Sequence, residues 1–187
     1  MPCAGSVTAL KKTLFHPKAD LVDRLRFQTR IRWHEKIEQR PIVYLDESGF
    51  AVDAPRTHGY ASLGARCYGC RDWHAKGRLN AIGAILSFTF LTVDLWNCNI
   101  DSDVFLGWVR LALLPVVPDR SIIVLDGAPF HKRADIITMI EERGHTVEFL
   151  PSYSPDLNPI EKKWAQAKAV RRRERCDPHD LFLCHEL

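Results

Sequence analysis

Two stretches of this chain share one pattern. Pro41-Ile-Val-Tyr-Leu-Asp46-Glu-Ser-Gly-Phe50 and Ser121-Ile-Ile-Val-Leu-Asp126-Gly-Ala-Pro-Phe130 each run four apolar residues into an aspartate and then a turn. Unbroken apolar runs of this length fit strands buried on both faces. Parallel strands of an α/β sheet deliver their C-terminal ends to one edge, where sites are usually built. Both stretches are therefore expected to be core strands ending in a carboxylate. Between them, Leu79 to Leu86 and Phe88 to Trp96 read as strands of a meander, with a shorter one from Arg66 to Cys70. Asp101 or Ser102 is placed to cap a helix through Val104, Phe105, Trp108, Val109 and Ala112 that stops at Pro115. A second amphipathic helix is expected from about Lys132 to Arg143, with Ile136, Ile137 and Ile140 inward and Gly144 as its stop. Thr146 to Leu150 is a further strand. The prolines at 151, 155 and 159 rule out a regular element before Asn158, and Asn158 followed by Pro159 starts a helix with Glu161 in its first turn.

Upstream of these elements, residues from Ala19 to Gln39 read as a charged connector helix. Leu21, Val22, Leu25, Ile31 and Ile37 give it an imperfect apolar face, and Pro41 enforces its end. The expected architecture is an α/β mixed sheet flanked by helices. It divides into an N-terminal segment (1–40), a main domain (41–175) and a C-terminal tail (176–187).

Composition narrows this picture. A length of 187 residues with 46% apolar content suits one domain that buries a core without staples. Net charge is only +3, yet Lys162, Lys163, Lys168, Arg171, Arg172, Arg173 and Arg175 crowd into fourteen positions, so a local positive field is expected. The longest nearly uncharged apolar run, Ala81 to Val93, is too short for a membrane span, and the N-terminus lacks the layout of a secretory signal. A cytoplasmic protein with reduced thiols is the expectation. Cys67 and Cys70 have C-x-x-C spacing, and Cys176, His179, Cys184 and His185 sit near the C-terminus. A single C-x-x-C without a partner pair is a weak zinc signal, so plain cysteines are the preferred reading.

Asp46, Asp126 and Glu161 lie at ends of elements that can converge. Hard divalent cations take such oxygen ligands, and a pair of ions about 3.5–4 Å apart stabilises the attacking and departing oxygens of an in-line phosphoryl displacement. Singly, each Asp also fits a strand-end residue capping a turn, and Glu161 fits a capping box with Asn158. Jointly, beside a basic helix, they favour a metal site.

Three blocks sharpen the reading: Leu45-Asp46-Glu-Ser-Gly-Phe50, Leu125-Asp126-Gly-Ala-Pro-Phe-His-Lys132, and Tyr153-Ser-Pro-Asp-Leu-Asn-Pro-Ile-Glu161-Lys-Lys-Trp164. They resemble the catalytic blocks of transposases in the insertion-sequence-630 and mariner superfamily, including the thirty-four residues between Asp126 and Glu161. Pro55-Arg-Thr-His-Gly-Tyr60 and Trp73-His-Ala-Lys-Gly-Arg78 are similar too. The resemblance implies a ribonuclease-H-like fold and a DDE triad of Asp46, Asp126 and Glu161. It implies two Mg²⁺ or Mn²⁺ ions, hydrolysis of phosphodiester bonds at transposon ends, and joining of the 3′-hydroxyl to target DNA at TA. His131 would orient a phosphate or support Asp126, set against the plainer reading of a structural histidine after a turn. The partners implied are double-stranded transposon-end and target DNA, with a homodimer in the synaptic complex, in a bacterial cytoplasm and associated with the nucleoid.

Two departures from the family pattern stand out. Gly127 replaces the usual Asn after the second Asp, and only the connector helix precedes Asp46 where the family carries a helix-turn-helix. Lys162, Lys163, Lys168, Arg171, Arg172 and Arg173 are the expected phosphate contacts, set against a merely solvated helical face. Trp108 and Trp164 are expected in the core. Two alternatives compete with an active transposase domain: a non-catalytic DNA-binding or assembly remnant, and a zinc or thiol protein using Cys67 and Cys70.

Overall fold

The computed structural model describes residues 16–53, 55, 59–69, 74 and 77–184. Its centre is a five-stranded sheet: β1 (Ile42–Ala51), β2 (Arg78–Leu86), β3 (Thr89–Trp96), β4 (Ile122–Leu125) and β5 (Thr146–Phe149), in the spatial order β3-β2-β1-β4-β5. β1, β2 and β3 form the antiparallel meander, whereas β4 and β5 join in parallel to β1. The four apolar residues of β4 are all buried, as a parallel strand covered on both faces requires. No strand occupies residues 66–69, and Cys70 lies outside the described residues.

β1 departs from expectation in an informative way. It does not end at Asp46 but continues to Ala51, because Glu47 to Ala51 pair with Ile82 to Arg78 of the antiparallel neighbour. Only the pairing with the shorter β4 stops near the aspartate.

Helices cover both faces. On one, α2 (Ser102–Trp108), the π-helical turn at Val109–Leu113 and α3 (Ala134–Glu142) pack Phe105, Trp108, Leu113, Ile136 and Ile140 against Val43, Leu45, Ile123 and Leu125. Asp101 caps α2 by accepting from the Asp103 and Val104 amides. Gly144, at φ 82°, ends α3 in the left-handed conformation glycine tolerates. On the other face, α4 (Ile160–Glu174) buries Ile160, Trp164, Ala167 and Arg171, a stripe at helical spacing, with the first three packed among Phe50, Ala81 and Ile85. The C-terminal segment is not a loose tail: α5 (Pro178–Cys184) adds Leu181 and Phe182 to the same cluster.

The N-terminal helix α1 (Leu21–Lys36) lies on that second face, against β1 and β4, and reaches β5 through the Arg30–Glu148 ion pair. Its apolar residues are used differently from the expected face. Phe27 is buried with Ile42, Ile122 and Val124, while Leu21, Val22, Leu25 and Ile37 are exposed. Arg24 grips Asp156 with two hydrogen bonds of 2.8 and 2.6 Å, and Arg30 pairs with Glu148 at 3.1 Å. The helix is thus docked on the sheet rather than simply leading into it. Among the described residues, no helix is long and apolar enough to cross a membrane.

Candidate active site

β1 and β4 pair in parallel as Ile42↔Ile122, Val43↔Ile123 and Tyr44↔Val124. Two further steps in that register set Asp46 beside Asp126. Paired residues of neighbouring strands point to one face, with strands about 4.8 Å apart. Within β4 alternation assigns the faces: Ile122 and Val124 sit on the α1 and α4 side, whereas Ile123 and Leu125 pack against α2 and α3. Asp126 directly follows the strand, where its carboxyl reaches both the Asp46 carboxyl's field and His131.

The head of α4 brings the third carboxylate to the same side. Asn158, buried, donates from Nδ2 to the Leu45 carbonyl at 3.1 Å, which fastens the start of the helix to the peptide preceding Asp46. Its Oδ1 accepts from the Ile160 amide at 3.4 Å, as a helix start should. Its own N–H, however, donates to Pro155 at 2.9 Å, so the reciprocal capping box with Glu161 is not formed and Glu161 stands exposed in the first turn. Further along, Trp164 rests over Gly83, the β2 residue paired with Asp46. A Cβ on Gly83 would come within 2.7 Å of the Trp164 ring, so the missing side chain sets how closely α4 approaches the sheet.

Electrostatics reflects this gathering. Burial, and then the charges of Glu161, Glu47 and Asp126, push the Asp46 carboxyl up to about 8. Asp126 goes the other way: the hydrogen bond from His131 and the Ala128 amide at 2.9 Å hold it below the usual carboxylate range. His131 is buried between two acids, with Nδ1 2.5 Å from Asp126 Oδ1 and Nε2 2.9 Å from Glu47 Oε1. Burial opposes its charge, but the bonds to Asp126 and Glu47 outweigh that and push it up to about 9.

Of the two roles expected for His131, the geometry gives support of Asp126. Glu47 is the residue sequence reasoning missed. Alternation along β1 turns it to the face opposite Asp46, where His131 waits. The signal in the sequence was only its adjacency to Asp46.

Among the described residues, no three His, Cys, Asp or Glu side chains are already gathered at ligating distance around one point. The donor chemistry nonetheless fits a hard cation. Asp46 resists ionisation because it is buried and like charges lie around it, and a divalent ion would relieve the second of these. Cys67, Cys98, Cys176 and Cys184 are free thiols, and Cys70 and His185 fall outside the described residues.

The expected phosphate contacts separate into groups. Lys168 and Arg172 lie seven and eleven positions after Glu161, on the stripe that continues its edge of α4, and Lys168 stands 5.6 Å over the Phe50 ring. Lys162 is exposed and lines a groove between α1 and α4, Lys163 is half-buried, and Arg173 is exposed with an ion pair to Glu174 at 2.7 Å. Arg171 differs: it is 5% exposed, and its guanidinium donates to the carbonyls of Ala51, Val52 and Cys176. It is a buried clamp between β1 and the end of α4, because its position on the Ile160–Trp164–Ala167 stripe faces the sheet. Trp164 and Trp108 are in the core as expected, with the Trp108 indole N–H donating to Asp94 at 2.8 Å.

Comparison with known proteins agrees with this architecture. The structure is similar to a Mos1 transposase paired-end complex with left transposon end, with a TM-score of 0.62 at 18% identity over 89% of this chain and 54% of that one. It is similar to the mariner Mos1 paired end complex with Mg, with a TM-score of 0.62 at 18% identity over 88% and 54%. The catalytic domain of Mos1 mariner transposase matches with a TM-score of 0.55 at 17% identity over 86% of this chain and 78% of that one. The fold is therefore the ribonuclease-H-like one of that catalytic domain, and the chain spans about half the length of the Mos1 chains in the complexes. No relative matches among curated proteins. A family model described as DDE superfamily endonuclease covers residues 41–180, from the first residue before β1 into α5, and the chain belongs to that family.

Proposed function

We propose that this chain is the catalytic portion of a transposase. It would hydrolyse phosphodiester bonds at transposon ends and transfer the 3′-hydroxyl into target DNA, at TA dinucleotides. The observation that carries the reading is the β1–β4 register, which, extended by two residues, brings Asp46 level with Asp126 at the sheet edge, where Asp46 also feels the charge of Glu161 at the head of α4. Asp46, Asp126 and Glu161 would hold two Mg²⁺ or Mn²⁺ ions. When bound, such ions neutralise developing charge on the attacking and leaving oxygens. The chain's own residues do the positioning: Asn158 fastens the helix bearing Glu161, Gly83 lets it sit close, and His131 with Glu47 fixes the Asp126 carboxylate.

Lys162, Lys163, Lys168, Arg172 and Arg173 are the proposed phosphate contacts, of which Lys168 and Arg172 lead away along the catalytic edge. Contacts of this kind position a duplex without reading its sequence. The partners proposed are transposon-end and target DNA, with two copies of the chain in the synaptic assembly, acting in a bacterial cytoplasm at the nucleoid.

The remnant reading gains little from Gly127. A Cβ there would meet only Lys132, with Nζ at 3.7 Å and Cε at 4.0 Å, both ordinary contacts, so a side chain at 127 meets no clash at its Cβ. The test is nicking of supercoiled DNA in Mg²⁺ or Mn²⁺. Wild type should cut, and Asp46→Asn, Asp126→Asn and Glu161→Gln should each be inactive while remaining folded. Equal cutting by these variants would sink the proposal, and loss of activity confined to Cys67→Ser would favour the thiol alternative.

A further inference from the structure

Beside Asp126, at the C-terminal edge of β4 and β5, lies a cavity of about 370 Å³. Asp126, Gly127 and Ala128 form one wall, and Leu150 with the loop 151–155 forms the other. Three features of this cavity go unused by the carboxylate chemistry.

The first is Tyr153. Its φ is 57°, a left-handed conformation that costs a bulky residue about 1–2 kcal/mol, and the residue is half exposed and lines the cavity. Strain of this kind persists where surroundings hold a side chain in place, and it clusters at ligand-binding sites. The second is how the ring is occupied. His16 lies on it in a parallel stack, centroids 4.6 Å apart and planes 14° apart, so a phenol face accepts a flat heterocycle, and a base stacked on that face would take the place of His16. The third is a cation at the same mouth. Lys132 Nζ, though not among the residues lining the cavity, lies 3.7 Å from the point where a Gly127 Cβ would stand and so borders the Gly127 wall. Gly127 itself puts no side chain into the space.

A flat aromatic face, a cation and a reactive-site carboxylate around one nucleotide-sized cavity match one ligand class. We propose that this cavity receives the nucleotide adjoining the scissile phosphate of a DNA strand, with its base stacked on Tyr153 and its phosphate held by Lys132. The inference rests on the nuclease reading above and adds to it where the strand lies: across β4 toward the β5–α4 loop. Stacking tolerates any base, so the pocket positions the strand without selecting sequence.

The test uses short duplexes with single-stranded 3′ ends, carrying 2-aminopurine at successive positions and bound in EDTA so that no cutting intervenes. At one position, binding by wild type and by Tyr153→Phe should quench the probe. Tyr153→Leu should abolish that quench and weaken binding about 5- to 150-fold, the range for one lost base–aromatic stack. Lys132→Gln should leave the quench and lower the salt slope of binding by about 1. Thermal melting checks that each variant is folded. Identical quenching by wild type and Tyr153→Leu at every position overturns the proposal. Nicking in Mg²⁺ without any Tyr153-dependent quench removes this inference alone, whereas the quench without nicking removes the nuclease reading and leaves the pocket.

Discussion

Replacing Gly83 by Ala probes how the third carboxylate is delivered. The added methyl would stand 2.7 Å from Trp164 Cη2, 3.0 Å from Trp164 Cζ2 and 3.2 Å from Phe90 Cε1. The first of these distances is shorter than carbon atoms tolerate, and neither ring can rotate away, since Trp164 is also wedged against Phe50 and Phe182. Overpacking of this kind costs about 1–3 kcal/mol, and each kcal/mol lowers the melting temperature of a chain this size by about 2–4 °C. Activity should suffer more than stability. Glu161 precedes Trp164 by one turn of α4, so a helix pushed outward carries the carboxylate with it, and a misplacement of about 1 Å costs about 100-fold in rate. Trp164→Phe removes the ring atoms that collide, and also a buried indole N–H that has no hydrogen-bond partner. Gly83→Ala with Trp164→Phe should therefore lose less than the sum of the single losses, with a coupling of about 1 kcal/mol. Thermal melting and plasmid nicking on the four proteins measure both effects. A Gly83→Ala protein with wild-type melting and nicking, or strictly additive losses, would refute the account of how α4 is seated.

Four further outcomes are expected. Glu47→Gln keeps an acceptor for His131 but removes a charge, so the His131 titration followed by NMR should move down from about 9 toward its ordinary value, and nicking should fall with the fold intact. Arg171→Ala leaves the Ala51, Val52 and Cys176 carbonyls without their donor and should destabilise by about 2–5 kcal/mol in urea unfolding. Lys168→Ala and Arg172→Ala should instead leave stability nearly unchanged and each lower the salt slope of DNA binding by about 1. For pH, the unfolded chain loses the Asp46 proton near the ordinary carboxyl value while the folded one keeps it to about 8. Metal-free stability should then fall as pH rises across that window and level off above it, a slope missing in Asp46→Asn, while Mg²⁺ affinity should rise with pH up to about 8 in calorimetric titrations.

Much of the candidate site was legible in the sequence, because the proposed chemistry rests on local patterns. Asp46, Asp126 and Glu161 announce themselves by short apolar runs and by the Asn-Pro helix start, and these patterns depend only on neighbours within a few residues. The identity of β4 as a fully buried strand and of Gly144 as a helix stop followed in the same way. Where a property depends on which face of an element meets which neighbour, the sequence left it open. The seven bases after Glu161 look alike in one dimension, yet one helical stripe turns Arg171 inward to backbone carbonyls and leaves Lys168 and Arg172 beside the site. The apolar residues of α1 suggested one face, but Phe27 is the residue that docks, since Arg24 and Arg30 find acids on the body of the protein and fix the rotation of the helix.

What the chain determined by itself is the set of elements and the residues able to bind phosphate or a hard cation, because backbone propensity, burial patterning and donor chemistry are read residue by residue. Tertiary structure decided three other things. The register of β1 on β4 set two aspartates side by side, the absent side chain at Gly83 let α4 close on the sheet, and Glu47 met His131 across a strand. Each is a contact between segments distant in sequence, fixed by pairing and packing that no local stretch encodes.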